Sequence, residues 1–454
     1  MEIIVGIKNK INRYFLKGHE RTVLAKKNIA YSLLIKGFSV FISLLIIPLS
    51  IRYINSTQYG IWLTLSSIVG WMSFFDLGLG NGLRNKLAEA TALKKAELSR
   101  ILISTTYAIL SIIAGIFLLL FLVINQFVDW KKILNTHAAG FNFNFLAMLV
   151  FGIFCIQFVV QTINTVLTAS HQVAKVSVIS FLGQGFTLVA VFLILRFTHS
   201  SLVLLVLVNG LAPLLIQIIA SIWYYHHELE NLSPGFKFID FKFARELLSL
   251  GGVFFVIQLG ALVLFQTDNI VITQLFGPAQ VTTFNVAYKL FSVLIFGFNI
   301  VMAPFWSAFT DAYAKHDMQW IKSMMTKIKY FWLVTSGGGI LLFFIAPYIY
   351  PLWLHNSVSV PTSLSFAMAF YIIVYTWQTA HVYLLNGINK IRLQLILVLV
   401  SAALNIPLAI FLGHKIGLAG ITWANSVLFL IMGMIFSYQT KRILNSSAKG
   451  ILNA

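Results

Sequence analysis

Long apolar runs recur along this sequence from residue 29 to residue 440. A run of about 20 apolar residues is long enough to cross a lipid bilayer as an α-helix. These runs are continuous and do not alternate between apolar and polar residues, as the strands of a membrane β-barrel would. Only 10% of the residues are charged, against about 25% in an average soluble domain. The sequence therefore predicts an all-α polytopic membrane protein.

The apolar runs accommodate twelve membrane spans, and the longest polar connection separates six of them from the other six. The predicted spans are 29–54, 60–82, 101–128, 141–169, 174–196, 201–225, 247–275, 281–309, 327–353, 362–386, 391–413 and 417–440. The corresponding domains are a basic amphipathic N-terminal segment (1–28), a first half (29–225), a linker (226–246), a second half (247–440) and a C-terminal tail (441–454).

Positive charge is distributed unequally between the two sides of these spans. Of the 32 Lys and Arg residues, 25 fall on one side and 5 on the other. Cytoplasmic loops carry such an excess in membrane proteins, so both termini are predicted to be cytoplasmic. The net charge of +19 then reflects topology and contact with anionic lipid. Nucleic-acid binding is not expected, because no soluble basic domain is present.

The two halves resemble each other without gaps at an offset of 222 residues. The offset pairs Gln58 with Gln280, Phe74 with Phe296, Glu89 with Asp311, Ala90 with Ala312 and Arg100 with Lys322. Since six spans are an even number, both halves have the same orientation. We therefore expect two six-helix lobes related by a pseudo-two-fold axis along the membrane normal, with a substrate path between them.

Four charged residues, Lys36, Asp76, Asp268 and Lys289, fall within the predicted spans. Charged groups at membrane depth are costly and frequently functional. Each half has one lysine and one aspartate at similar depth on adjacent antiparallel spans. These groups either form two structural ion pairs or line a water-filled cavity. In the cavity interpretation the lysines attract an anionic head group, and the carboxylates release it or carry protons.

Three further side chains within the spans have both a functional and a structural interpretation. His381 is a candidate for proton coupling or a hydrogen-bonded packing residue. Trp71 and Trp377 lie near the middle of their spans, where they could stack on a sugar or simply pack.

The second span ends in an unusual stretch, FFDLGLGNGLRNKLAEA, at residues 74–90. Gly78, Gly80 and Gly82 are spaced by two, which does not form one helix face, so they indicate a loosened helix end rather than a packing stripe. Arg84 then falls at head-group level, where a guanidinium can bind a phosphate through two hydrogen bonds. Positive-inside anchoring is the structural alternative.

Several catalytic classes lack their signature in this sequence. The P-loop pattern of an ATP motor and the H-E-x-x-H and C-x-x-C patterns of metal or redox sites do not occur. The predicted outer loops are short and nearly free of acidic residues. These features favour a carrier without cofactor or metal over an enzyme.

The stretch 74–90, together with INSTQYGIW at 54–62, resembles the Wzx-type O-antigen and polysaccharide flippases. These belong to the same exporter superfamily as the MATE transporters and the lipid II flippases. The motif of the resemblance falls on Asp76, Gly78, Gly80, Asn81, Gly82 and Arg84. The resemblance implies a V-shaped protein of the bacterial inner membrane with a cationic central cavity and ion coupling. It further implies movement of undecaprenyl-diphosphate-linked oligosaccharide to the outer leaflet during lipopolysaccharide or other polysaccharide biosynthesis.

In this hypothesis, Lys36, Arg84 and Lys289 bind the diphosphate, while Asp76, Asp268 and His381 serve gating or ion coupling. The expected partners are the lipid-linked oligosaccharide and membrane lipids, with a polysaccharide polymerase and a chain-length regulator as further partners that the resemblance suggests. Two alternatives remain open, a MATE-like antiporter for organic cations or drugs and a membrane glycosyltransferase.

Overall fold

The computed structural model describes residues 20–72, 78–136, 142–170, 172–244 and 267–453, with the side chains of these residues except 20–33, 92 and 307. This part of the chain is almost entirely α-helical and contains no strand. The helices are α1 (Glu20–Tyr53), α2 (Ser56–Gly70), α3 (Leu79–Ala92), α4 (Ala96–Phe127), α5 (Trp130–Ile133), α6 (Phe143–Val160), α7 (Thr162–Ala169), α8 (Val173–Phe197), α9 (Leu202–His227), α10 (Asp268–Phe276), α11 (Pro278–Ala314), α12 (Met318–Leu354), α13 (Thr362–Gly387), α14 (Arg392–Ile416) and α15 (Ala419–Leu444). Short 3₁₀ turns lie at Glu230–Leu232, Phe236–Phe238, Phe241–Phe243 and Gly450–Asn453.

Within the described ranges, nine helical segments are long and apolar enough to cross a membrane. They correspond to the predicted spans one, three to six, eight, nine, eleven and twelve, and α13 coincides with the tenth. The fold is therefore that of an all-α polytopic membrane protein, as predicted. Most of the predicted seventh span, 247–275, lies outside the described residues, and α10 forms its last part.

The predicted second span, 60–82, is not one continuous helix. Helix α2 ends at Gly70 and α3 begins at Leu79, directly after Gly78. Gly78 has φ 75°, a left-handed conformation that glycine adopts without a Cβ penalty. The loosened helix end inferred from the glycines is therefore present, but the predicted span was too long. Hydropathy alone did not detect this break, because apolar residues continue past Gly70.

Helix α3 is amphipathic. Leu79, Leu83 and Leu87 are fully buried and recur every fourth residue, which places them on one face. Arg84 and Glu89 are exposed. The helix therefore packs its leucines on the first half and presents its charges away from it.

Helix boundaries in the two halves follow the 222-residue offset. Helix α2 begins at residue 56 and α11 at 278, and α4 begins at 96 and α12 at 318. The turns before α4 and α12 also agree, since Lys94 and His316 both have left-handed φ values of 55° and 58°. The internal repeat is thus present in the backbone, even where side chains differ.

The two ends of the helix bundle differ in charge and packing. We call the end that carries Tyr53, Phe276, Leu354 and Ile416 the cation-poor end, and the opposite end the cation-rich end. One buried hydrophobic cluster, which includes Ile51, Tyr59 and Val281, joins the two halves near the cation-poor end. A second cluster, which includes Leu83 and Leu87, belongs to the first half and lies toward the cation-rich end.

Candidate functional site

A cavity of about 520 Å³ lies between the two halves. Its wall is formed by α2 of the first half and by α10, α11, α13 and α15 of the second half. The lining residues are Leu63, Ser66, Ser67, Asp268, Asn269, Phe284, Asn285, Tyr288, Met368, Tyr371, Tyr375, Thr422 and Asn425. Counted at 1.5 Å per residue, Asp268, Asn285 and Asn425 lie roughly 9–12 Å from the helix ends at the cation-poor end. We call this space the inter-half cavity.

Asp268 supplies the carboxylate of the inter-half cavity. Its Oδ2 accepts a hydrogen bond of 2.7 Å from Nδ2 of Asn425, whose Oδ1 in turn accepts one of 2.6 Å from Nδ2 of Asn405. The Oδ1 of Asp268 has no hydrogen-bond partner among the residues that the structure describes. A buried carboxylate with one amide donor is poorly compensated, so this group can accept a further donor or a cation from a ligand.

A second set of hydrogen bonds connects the two halves across the cavity. Nδ2 of Asn269 donates to Oγ of Ser67 at 2.7 Å, and Nδ2 of Asn285 donates to Oδ1 of Asn269 at 2.7 Å. These amides and hydroxyls are both donors and acceptors. They give the cavity hydrogen-bonding capacity without additional net charge.

Three tyrosines form an aromatic wall of the same cavity. The rings of Tyr371 and Tyr375 stack with centroids 5.7 Å apart, and Tyr288 lies 6.5 Å from Tyr371. A concave site that combines aromatic surface with a few convergent polar groups is typical of small-molecule binding. The volume also falls within the range of about 300–1,000 Å³ that such sites have.

The halves are held together at the cation-poor end. Oγ1 of Thr282 donates to the Ser56 carbonyl at 2.6 Å, and the hydroxyls of Thr64 and Thr273 are 2.7 Å apart. Asn135 also reaches α10 by donating Nδ2 to the Thr273 carbonyl at 3.1 Å. In the described parts of the chain, all hydrogen bonds between the halves lie in this half of the bundle. The described contacts thus close the inter-half cavity toward the cation-poor end.

The backbones of α2 and α11 lie close together where α2 crosses the start of α11. A Cβ placed on Gly60 would lie 1.7 Å from the carbonyl oxygen of Pro278. Small residues permit such close helix crossings in membranes. Gly60 therefore allows a close contact between the halves at the cation-poor end.

The residues predicted to bind the diphosphate do not line the inter-half cavity. Lys36 is exposed on α1, Arg84 is exposed on α3, and Lys289 is half-buried on α11. Among the described residues, neither Lys36 nor Lys289 is in an ion pair, and Asp268 is held by Asn425 instead. The structural ion pair between Asp268 and Lys289 is therefore not formed. Phosphate binding by the three cations remains a prediction.

The motif residues are only partly described. Asp76 lies outside the described residues. Gly78 precedes α3, and Gly80, Asn81 and Gly82 lie in its first turn. The structure shows Gly78 at the start of α3, whereas a ligand role for the motif residues stays a prediction.

The remaining predicted side chains separate into two locations. Trp71 is half-buried directly after α2 and lines neither of the cavities described here. Trp377 and His381 line a second cavity of about 480 Å³ in the second half. There His381 Nδ1 is 3.2 Å from the Thr440 hydroxyl, and its ring meets Trp377 edge-on at 6.0 Å. His381 thus lines a different cavity from Asp268.

Sequence reasoning missed the asparagines and tyrosines of the inter-half cavity. Neutral amides are less conspicuous than charges in an apolar span, although they too need partners in the membrane. A signal was available, because Asn269, Asn285 and Asn425 lie at matching depth in predicted spans seven, eight and twelve.

Comparison with solved structures places this architecture in a known fold. A structure titled as the inward-facing conformation of a multidrug resistance MATE family transporter of the MOP superfamily covers 89% of this chain and 100% of its own, with a TM-score of 0.68 and 17% identity. A MATE structure in the straight conformation covers 95% of this chain and 98% of its own, with a TM-score of 0.64 and 12% identity. The chain therefore has the overall fold of these MATE structures.

Comparison with protein sequences gives relatives over nearly the whole chain. A Salmonella typhi protein named "Putative O-antigen transporter" is 21% identical over 421 residues, covering 88% of this chain and 93% of its own. A Yersinia pseudotuberculosis protein named "Putative O-antigen export protein" is 22% identical over 418 residues, covering 87% and 88%. The family model described as polysaccharide biosynthesis protein matches residues 25–307. This match spans more than half of the 454 residues, so the chain belongs to the polysaccharide biosynthesis protein family.

Proposed function

We propose that this protein is a flippase that moves undecaprenyl-diphosphate-linked oligosaccharide from the inner to the outer leaflet of the bacterial plasma membrane. The inter-half cavity carries the proposal, because its polar and aromatic lining suits sugars and it lies at the lobe interface of a transporter fold. Membership of the polysaccharide biosynthesis family and the names of the relatives support a glycan substrate.

The inter-half cavity binds sugar in this proposal. Sugar hydroxyls both donate and accept hydrogen bonds, and the side chains of Asn269 and Asn425 offer both functions. Asn285 offers its Oδ1 as an acceptor, because its Nδ2 already donates to Asn269 and to the Val281 carbonyl. The rings of Tyr371 and Tyr375 offer flat apolar surface for the faces of the sugar rings. At about 520 Å³, the cavity holds part of the oligosaccharide, and the polyprenyl chain stays in the surrounding lipid.

In this proposal, the diphosphate binds at the cation-rich end of the bundle rather than in the inter-half cavity. Lys36 and Arg84 are exposed toward that end, and the excess of cations there predicts that it faces the cytoplasm. The substrate would then enter from the cytoplasmic leaflet while the hydrogen bonds between the halves at the cation-poor end remain formed. Lys289, which lies deeper in the outer half of its span, would meet the diphosphate during passage.

Release requires the opposite end to open, which is alternating access between two lobes. Asp268 is placed to couple this change to an ion, because its carboxylate lies at the lobe interface and retains one free oxygen among the described residues. Asp76 and His381 remain further proposals for coupling, although His381 faces a different cavity.

One observation favours a second candidate, a MATE-like antiporter of organic cations. Among the described residues that line it, the inter-half cavity contains one carboxylate, three tyrosine rings and no lysine or arginine. A carboxylate beside aromatic faces suits a cationic ligand. This arrangement differs from the cationic central cavity that the sequence led us to expect.

Proteoliposomes distinguish the two candidates. The purified protein is reconstituted with labelled undecaprenyl-diphosphate oligosaccharide, with and without a proton gradient. Transfer is measured as the fraction of sugar that becomes accessible to an impermeant sugar-modifying enzyme. A parallel series measures gradient-driven export of a cationic dye.

Asn285→Ala tests the cavity against a closely matched control, Asn209→Ala. Both asparagines donate Nδ2 to the carbonyl four residues earlier, at 2.8 Å for Asn285 and 2.9 Å for Asn209, but only Asn285 lines the inter-half cavity. Losing one hydrogen bond to the sugar should slow transfer about 3- to 10-fold in Asn285→Ala alone. Dye export without glycan transfer in the wild-type protein would replace the flippase proposal with the antiporter.

A further inference from the structure

The second half contains a cavity that the proposed transport path does not use. It measures about 480 Å³ and lies between α12, α13 and α15, toward the cation-rich end. The described residues that line it all belong to the second half or follow directly after α15, and none of them lines the inter-half cavity. We call it the C-half cavity.

Three lysines surround this cavity. Lys322 and Lys329 are seven residues apart on α12, which places them on one helix face, and Lys441 lies on α15. All three are exposed, and none forms an ion pair among the described residues. The described part of the lining contains no aspartate or glutamate, while Thr440 and Asn445 add uncharged hydrogen-bonding groups. Together these lysines and uncharged groups suit an anion that accepts several hydrogen bonds, as a phosphate does.

The deeper wall is apolar and held in place. Met325, Trp332 and Trp377 line it. The Trp332 indole nitrogen donates to the Ile373 carbonyl at 2.9 Å. Trp377 packs against Gly433 so closely that a Cβ there would lie 2.8 Å from its ring. The aromatic wall is therefore preformed, which limits the entropy lost when a ligand binds.

The form of the cavity suits an amphiphile rather than a free ion. Helix α13 packs on both α12 and α15, and these two helices make few contacts with each other. A wedge thus remains between α12 and α15, with lysines at head-group level and tryptophans farther into the membrane. Basic pockets between membrane helices on the cytoplasmic side are known to bind anionic lipid head groups.

We infer that the C-half cavity binds a phosphate-bearing membrane lipid, with the phosphate on Lys322, Lys329 and Lys441 and the chain against Trp332 and Trp377. The same chemistry is offered by an anionic glycerophospholipid and by an isoprenoid phosphate. This site does not depend on the proposed flippase activity, because it lies within one half.

The test measures lipid binding to the full-length protein in a neutral detergent. Thermal unfolding is followed while phosphatidylglycerol, phosphatidylcholine or undecaprenyl phosphate is titrated, since a ligand of the folded state raises Tm. The triple variant Lys322→Ala/Lys329→Ala/Lys441→Ala is compared with Lys327→Ala. Lys327 is the matched control, because it is an exposed lysine of α12 that does not line the cavity.

We expect the anionic lipid to raise Tm in the wild-type protein and in Lys327→Ala, and phosphatidylcholine not to do so. One lysine near an anionic head group is worth roughly a fivefold change in affinity, so the triple variant should bind roughly 100-fold more weakly. A response to phosphatidylglycerol identifies a glycerophospholipid, and a response confined to undecaprenyl phosphate identifies the isoprenoid. Equal responses in the triple variant and in Lys327→Ala would overturn the site.

A second variant tests the lipid site independently, in case the triple variant does not fold. Thr326→Trp places a large side chain at the wall of the cavity, on an exposed position of α12. It keeps all three lysines and should still displace the lipid chain. Binding as tight as that of the wild type in Thr326→Trp would contradict a bound chain.

Discussion

Gly60→Ala probes the contact that closes the cation-poor end. The added Cβ would lie 1.7 Å from the Pro278 carbonyl oxygen, while real Cβ contacts are essentially never shorter than 3.0 Å. Helix α11 must therefore move away from α2 by at least about 1.3 Å, the difference between these two distances. The substitution otherwise favours helix α2, because alanine is the better helix former by roughly 1 kcal/mol.

The displacement acts on three hydrogen bonds around Gly60. Thr282 of α11 donates to the Ser56 carbonyl at 2.6 Å. The other two join α2 to α10, which is linked to α11 by Gly277 alone and is expected to move with it. In these two, the hydroxyls of Thr64 and Thr273 are 2.7 Å apart, and Asn269 donates to Ser67 at 2.7 Å. Lengthened by more than 1 Å, such bonds are broken. At about 1 kcal/mol each, their loss costs the closed arrangement about 3 kcal/mol, or roughly a 100-fold change in its population.

Thiol labelling measures this change. Ser66, which lines the inter-half cavity, is replaced by cysteine in a Cys155→Ala background, since Cys155 is the single cysteine of the chain. An impermeant maleimide is added to intact cells, where the cation-poor end is predicted to face outward. Gly60→Ala should accelerate labelling by up to roughly 100-fold.

Gly152→Ala is the control for the labelling experiment, because a Cβ on Gly152 meets nothing within 4 Å. It should leave the labelling rate unchanged. The reasoning is refuted if both alanine variants label at the wild-type rate while remaining folded.

Three further predictions concern transport. Asp268→Asn keeps the shape of the side chain but removes its charge, so it should abolish the response of transport to an ion gradient, measured by comparing flux with and without the gradient; an unchanged response would exclude Asp268 from coupling. Lys36→Ala and Lys289→Ala should each lower glycan transfer in proteoliposomes at unchanged expression, by roughly tenfold for one lost phosphate contact, and wild-type flux in both variants would disprove their role. Ser67 and Asn269, whose Oγ and Nδ2 atoms are 2.7 Å apart, can both be replaced by cysteine and joined by a short cross-linker that forms a disulfide with each thiol. The linked protein should stop transporting until the disulfides are reduced, and continued flux in the linked protein would refute movement between the halves.

The cross-linking prediction has a matched control within the first half. Asn125 and Asn144 are joined by reciprocal hydrogen bonds of 3.0 Å and 2.9 Å between α4 and α6. Cysteines at these positions, in the same Cys155→Ala background, link two helices that belong to one half. Transport should survive this link, because only the movement between halves is required.

The helices were predictable because length and hydropathy decide them in a membrane. Predicted spans such as 174–196 and 362–386 agree closely with α8 and α13. The interruption between α2 and α3 was indicated only by the spacing of Gly78, Gly80 and Gly82. Hydropathy did not indicate it, because apolar residues such as Phe74 and Phe75 continue past Gly70. The 222-residue offset was also recoverable, and it agrees with the starts of α2 and α11.

The candidate site was only partly predictable. The depth of Asp268 followed from its position in the chain, and the structure places it in the inter-half cavity. The depth of a residue does not determine the direction in which its side chain points around the helix axis. Lys289 has a similar depth but does not line the inter-half cavity. The partner of Asp268, Asn425, is 157 residues away in sequence, and no spacing rule reveals such a contact.

The repeated helix pair of the two halves differs in one respect. In the first half, Gly78 directly before α3 has a left-handed conformation, which a continuous helix cannot contain. The matching stretch of the second half lies inside α11, which runs as one helix of 37 residues from Pro278 to Ala314. The repeated unit is therefore interrupted at Gly78 in the first half and continuous in the second half. A rocking motion could rotate the chain about Gly78 in the first half, whereas α11 would move as one helix, so the two sides of the transport path need not move by equal amounts.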